Sequence, residues 1–176
     1  MTQADDEFVA IFNEVYANLC RFLEVLLGNH SLAQDIAQES FLRLHRFGLH
    51  RLPRGEARFW LFRVARNLAL NELAKGRTRM KFIGKVVEIF QVAVPTPEEV
   101  AAQAERQEKV FAFILDLPEH QRAALLLREQ EEMSYTQIAQ VLKISESKVK
   151  SDIFRARCVL REKWNEMNQK SAKAFS

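Results

Sequence analysis

Apolar positions along this chain recur at three- and four-residue steps almost from end to end, the spacing of helices that bury one face. Phe8, Ile11, Phe12, Val15, Leu19, Phe22 and Leu26 form the first stripe, and Gly28-Asn29 stops it. Ser31 with Gln34 spells a capping box for a second helix running to about Phe47, with Ala37, Ser40, Phe41 and Leu44 on its buried side. A loop from Gly48 through Pro53 to Gly55 precedes a third helix, about Glu56 to Ala74. Residues 82–95 break the rhythm. Val86, Val87, Ile89, Phe90, Val92 and Val94 are β-branched or aromatic with no helical stripe, and Pro95 and Pro97 close the run, which reads as an extended linker. Thr96-Pro97-Glu98-Glu99 then starts a helix to about Asp116, and Pro118 opens another to about Glu131. Ser134 with Gln137 caps a short helix to Leu142, and a turn leads to a last one, about Glu146 to Trp164. The polar residues from Asn165 on are expected to fray. The pattern predicts an all-α chain: two small helical domains joined by a flexible linker, the second ending in a helix-turn-helix. The expected limits are 1–81 and 105–168, with a linker over 82–104 and a tail over 169–176.

The segment Tyr135 to Leu160 has the grammar of that motif. Ile138, Ala139 and Leu142 give the first helix a buried side, Ile144 fills the turn, and Val149, Ile153, Ala156 and Leu160 form the buried stripe of the second. At 100° per residue that stripe leaves Ser147, Lys148, Ser151, Phe154 and Arg155 outward, with Lys150 on one flank. Short hydroxyls and cations near a helix N-terminus suit a major groove: the lysines for phosphates, Ser151 and Arg155 for base edges. An ordinary amphipathic helix with a basic face would look similar. Asp152 puts an acid among these cations, where it would repel phosphate, pair with a neighbouring arginine or accept a cytosine amino group; its place about 100° from Ser151, toward the buried side, favours a repulsive charge whose replacement by arginine strengthens binding on every sequence.

In the first domain, Asp35, Gln38, Glu39, Leu42 and Arg46 line up opposite the buried stripe of the second helix. Leu42, an apolar residue framed by polar ones, looks like the centre of a docking patch. On the third helix Trp60, Arg63, Asn67 and Asn71 share a face, and the loop before it carries Arg51 and Arg54. Asparagines and arginines hydrogen-bond bases and backbone, and an indole can stack on an unpaired base, a combination that suits single-stranded DNA. Trp60 fits a core position equally well.

Charge sharpens the picture more than composition does. The net charge is only +3, but it is arranged in blocks. Residues 1–40 hold one base and seven acids; 41–81 hold eleven bases and two acids; 82–142 hold five and ten; 143–163 hold seven and three. Two basic blocks separated by acidic stretches suggest two polyanion contacts on one chain. Other chemistry finds little footing. Cys20 and Cys158 lie far apart and outside any CxxC, and His30, His45, His50 and His120 have no partners at ligand spacing, so neither a metal nor another cofactor is expected. There is no P-loop, HExxH or nucleophile elbow. No window approaches 18 apolar residues, and the acidic, polar start does not look like a signal peptide, so a cytosolic protein without membrane insertion is expected.

Three stretches together resemble a known family, the extracytoplasmic-function class of bacterial RNA-polymerase sigma factors. DIAQESFLRLHR (Asp35 to Arg46) resembles the helix with which that family docks on the polymerase clamp. FWLFRVARNLALNEL (Phe59 to Leu73) resembles its promoter-melting helix, and Leu117 to Arg157 its C-terminal DNA-binding domain. The order and spacing of the three make the resemblance specific over about residues 5 to 163. It implies core RNA polymerase and promoter DNA as partners, and the family commonly has an anti-sigma partner too. It further implies docking through Asp35, Gln38, Glu39 and Leu42. Capture of a melted minus-ten element would fall to Arg46, Arg54, Trp60, Arg63, Asn67 and Asn71, with one base flipped into the loop His45 to Gly55. Reading of a duplex minus-thirty-five element would fall to Ser147, Lys148, Lys150, Ser151 and Arg155. Asn71, Ala74, Ser147-Lys148 and Asp152 stand where the family more often has aspartate, arginine, glycine-threonine and arginine, departures that bear on which promoter is read. The competing readings are a stand-alone helix-turn-helix regulator that does not bind core polymerase, and a sigma-like protein that only sequesters a partner. The first leaves the Asp35–Leu42 patch and the basic block at 41–81 unexplained; binding to core polymerase would separate it from a sigma factor.

Overall fold

The computed structural model describes residues 3–75 and 97–174, with side chains over 6–75 and 106–169, and among them every regular element is helical. The chain order is α1 (Gln3–Leu27), α2 (His30–Phe47), a single 3-10 turn (Leu49–Arg51), α3 (Ala57–Ala74), α4 (Pro97–Leu115), α5 (Glu119–Glu129), α6 (Tyr135–Leu142) and α7 (Glu146–Ala174). The extended reading of residues 82–95 lies outside the described residues.

Local chemistry sets the helix ends. Gly28 takes a φ of +64°, which ends α1 at the expected glycine. The expected Ser31–Gln34 capping box is not used. Asn29, two residues earlier in extended conformation, accepts the Leu32 N–H at 3.1 Å, so Ser31 falls inside the first turn. The Ser134–Gln137 box forms reciprocally: Gln137 N–H donates to Ser134 Oγ at 3.2 Å and Ser134 N–H to Gln137 Oε1 at 2.8 Å. The last helix does not stop near Trp164 but continues to Ala174. Neither glycine nor proline stands between 164 and 174, so nothing in the backbone ends it.

In the first bundle, α1, α2 and α3 pack around Val15, Leu19, Phe22, Leu26, Ala37, Phe41, Leu44, Leu61 and Phe62. Phe22 meets Phe62 edge-on at 5.3 Å, and Phe41 receives Phe8, Phe12 and Tyr16 from α1. The second bundle closes α5, α6 and α7 over Leu127, Met133, Ile138, Val149, Ile153 and Ala156, with α4 laid along α7. The buried side chains of both bundles belong to one continuous core cluster.

The two bundles also pack on each other. Helices α4 and α5 lie against α1, and α6 lies against α3. The Arg66 guanidinium donates to both oxygens of Glu119 at 2.9 Å. Arg58 donates to the Glu131 carboxylate at 2.7 Å and to the Glu131 carbonyl at 2.9 Å. Arg122 reaches back from α5 to the Leu26 carbonyl at 2.6 Å while also binding the carbonyls of Leu115 and Leu117. Burial draws its guanidinium below the usual arginine range, opposed by the nearby carboxylates of Glu119 and Asp116.

Candidate nucleic-acid interface

Helix α2 turns Ala33, Ile36, Ala37, Ser40, Phe41 and Leu44 inward, which leaves the 35–38–42 row outside. Asp35 and Gln38 are exposed, and Leu42 keeps 52% of its surface in water, one of the few large apolar side chains to do so. Glu39 is held by Arg43 one turn on, at 2.7 Å, and that hydrogen bond keeps its carboxyl below the usual range. The four expected docking residues therefore form one patch, an apolar side chain with acidic and amide groups around it.

Arg46, the next position in that row, stands exposed at the end of α2, where the chain turns through Gly48. The loop that follows and the start of α3 flank a cavity of about 330 Å³ whose lining includes Glu14, Leu52, Arg54, Arg58 and Phe59. On α3, Asn67 and Asn71 are exposed and Trp60 and Arg63 are half-buried, all at helical-neighbour spacing. Trp60 is neither plain core nor a bare platform. It stacks on Phe47 with ring centroids 5.4 Å apart, and Arg51 lies over the far ring at 5.8 Å. Phe47 was not among the expected site residues. Its position as the last residue of α2, before a glycine, was the available signal.

In the second bundle, α6 and α7 cross as a helix-turn-helix whose turn runs through Lys143 in left-handed conformation, φ +54°. Ser147, Lys148, Lys150, Ser151, Phe154 and Arg155 are all exposed, on the side of α7 away from its core. Two of its cations are engaged with their own domain. Lys150 lies over the Tyr135 ring at 5.6 Å, and Lys148 donates to Asp152 Oδ1 at 2.6 Å. Asp152 is fully buried between α5 and α7, with His120 Nε2 3.6 Å from the same oxygen and Oδ2 without a partner. This corrects the expectation of a repulsive surface charge. Asp152 is an internal acid that tethers Lys148, and an arginine in its place would sit in the core rather than on the groove-facing side. Arg155 makes no hydrogen bond or ion pair among the described residues. Phe154, 69% exposed beside it, is the most exposed large apolar side chain among the described residues and was not in the expected site. Among the described residues no three His, Cys, Asp or Glu side chains come together to hold a metal, and no helix is long and apolar enough to cross a membrane.

Comparison with known proteins matches these parts one by one. Residues 11–79 match the model of sigma-70 region 2, and residues 107–157 match that of sigma-70 region 4. The ECF RNA polymerase sigma factor SigM of Bacillus subtilis is 32% identical over 162 residues, 92% of this chain and 94% of that protein. The RNA polymerase sigma-H factor of Pseudomonas aeruginosa is 38% identical over 135 residues, 71% of this chain and 69% of that protein. Among solved structures, the sigma factor RpoE in complex with the anti-sigma factor NepR from Bartonella quintana aligns with a TM-score of 0.69 over 90% of this chain and 97% of that one, at 21% identity, a likeness of fold.

Proposed function

The chain belongs to the sigma-70 family, in its extracytoplasmic-function class, and from that premise we propose that three separate helical faces direct core RNA polymerase to specific promoters. The first is the α2 patch of Asp35, Gln38, Glu39 and Leu42, which docks on core enzyme. The second is the α3 face of Trp60, Arg63, Asn67 and Asn71, which holds the melted minus-ten strand, with Arg46 and Arg54 along its backbone and one extruded base in the cavity beside Arg54. The third is the α7 face, with Ser151 and Arg155 on the edges of duplex minus-thirty-five bases and Ser147, Lys148 and Lys150 on phosphates. Phe154 adds an apolar surface of the kind that meets a thymine methyl. The chain works by binding alone, in the cytosol where polymerase acts, and catalyses nothing itself. An anti-sigma protein covering these faces would hold it inactive; the RpoE chain of the similar solved structure is in complex with the anti-sigma factor NepR.

The observation that carries this reading is Leu42. Leu42 leaves half its surface in water within a ring of Asp35, Gln38 and Glu39, an arrangement that suits a docking helix, whereas a stand-alone regulator needs only the α7 face. Transcription in vitro with core polymerase and a randomised promoter library tests it. Initiation from a defined subset of sequences, dependent on the chain, is expected; DNA binding without initiation would overturn it.

A further inference from the structure

The contact between the two bundles pairs the charge blocks of the sequence. Arg58 and Arg66 come from the stretch with eleven bases, and Glu119 and Glu131 from the stretch with ten acids. Both arginines border the surface assigned above to single-stranded DNA. Arg66 follows Arg63 by three residues, so the two are neighbours on the surface of α3. Arg58 lines the cavity next to Arg54. A carboxylate offers a guanidinium fork the same paired acceptors as a phosphodiester, and the Arg66–Glu119 pair uses both prongs. Glu131 is 2% exposed as a side chain whereas Arg58 keeps 35% of its own in water, so the guanidinium is neutralised without being covered.

Resting on the reading that α3 holds melted DNA, we propose that Arg58 and Arg66 form a second phosphate-binding site for the single strand, and that Glu119 and Glu131 occupy it as phosphate surrogates while the bundles are closed. The free chain then binds single strands weakly, not because the α3 face is covered but because two of its cations are already neutralised. Separation of the bundles releases both arginines together.

The full chain with Glu119→Gln and Glu131→Gln, titrated with a fluorescent single-stranded oligonucleotide, tests this directly. Affinity should rise about tenfold, within the range usual for coupled sites. Adding Arg58→Gln and Arg66→Gln should abolish the gain, and that quadruple variant leaves no buried charge unpaired. A gain that survives loss of the arginines overturns the proposal, as does no gain in the double variant. In holoenzyme, where no closure needs to be opened, Arg58→Gln with Arg66→Gln should flatten the salt dependence of single-strand binding by about 1.4 units, roughly 0.7 per phosphate. An unchanged slope overturns the phosphate assignment. Trp60→Ala separates the two levels of failure. If it weakens single-strand binding while the glutamine variants do nothing, only the surrogate idea falls; if it too does nothing, the α3 reading falls with it.

Discussion

Asp152 shows how far one residue can shift the account of a face. Lys148, Lys150 and Arg155 around it are exposed cations, yet its own carboxylate is enclosed, held by Lys148 and approached by His120. Replacement by arginine would bury a cation beside Lys148 and His120, and breaking a buried pair in this way costs about 3–5 kcal/mol. Asp152→Arg should therefore lower the melting temperature of the chain by many degrees instead of tightening DNA binding. Asp152→Asn keeps the shape and releases Lys148. It should bind all duplexes more tightly and steepen the salt dependence by about one unit. A thermal melt and a salt titration of both variants check this; a stable arginine variant would mean the side chain escapes to solvent. At the docking patch, Glu39→Lys with Leu42→Ala should weaken core binding by about 1–3 kcal/mol per anchor, read from a core titration with melting as the control.

Helix by helix, α7 separates positions that hold DNA from positions that read it. Arg155→Ala should cost about 1–3 kcal/mol on the preferred duplex and little on a scrambled one, whereas Lys150→Ala should weaken both alike. Competition binding with the two duplexes distinguishes them, and equal losses for Arg155→Ala would place it on phosphate. Most of this helix was legible in the sequence because Val149, Ile153 and Ala156 repeat at helical spacing against a small core. The same holds for α2 and α3. What periodicity could not show was how far each polar flank is enclosed, since Glu146 and Asp152 lie on opposite flanks of the buried stripe of α7 and only Asp152 is buried. Nor could it choose between two caps two residues apart, where Asn29 prevails over Ser31. The aromatic pair Phe47–Trp60 joins two helices through a loop, so neither residue alone announced it. One signal was present and unread. Leu23, Val25 and Leu27 are as buried as Phe22 and Leu26, and together these five cover about 200° of the circumference of α1 at 100° per residue, more than one bundle conceals.

At the scale of the whole molecule, that extra apolar surface and the Arg–Glu pairs describe a chain that closes on itself. A compact body of this length has a radius of gyration of about 16 Å, roughly 40 Å across. Elements named for positions about 25 base pairs apart lie roughly 85 Å apart at 3.4 Å per step. The closed chain cannot span them, so promoter engagement requires the bundles to part; residues 82–96, the stretch of the proposed linker ahead of α4, reach at most roughly 50–54 Å, which with the bundles themselves is enough. Closure and the two ligands are then linked. If core polymerase and single-stranded DNA both bind only the open form, each apparent affinity is reduced by the same factor, the fraction of chains that are open. A change that opens the chain without touching either site must raise both affinities equally. Glu119→Gln with Glu131→Gln is such a change, because in the open form both carboxylates have left Arg58 and Arg66, and neither residue lies on the α2 patch. Its core affinity should rise by about the same tenfold as its affinity for the oligonucleotide, a size typical of coupled sites. Parallel titrations of the double variant and the parent chain measure the two ratios. A rise for DNA with none for polymerase would mean that core enzyme binds the closed chain first and that the bundles separate only afterwards, on the polymerase surface.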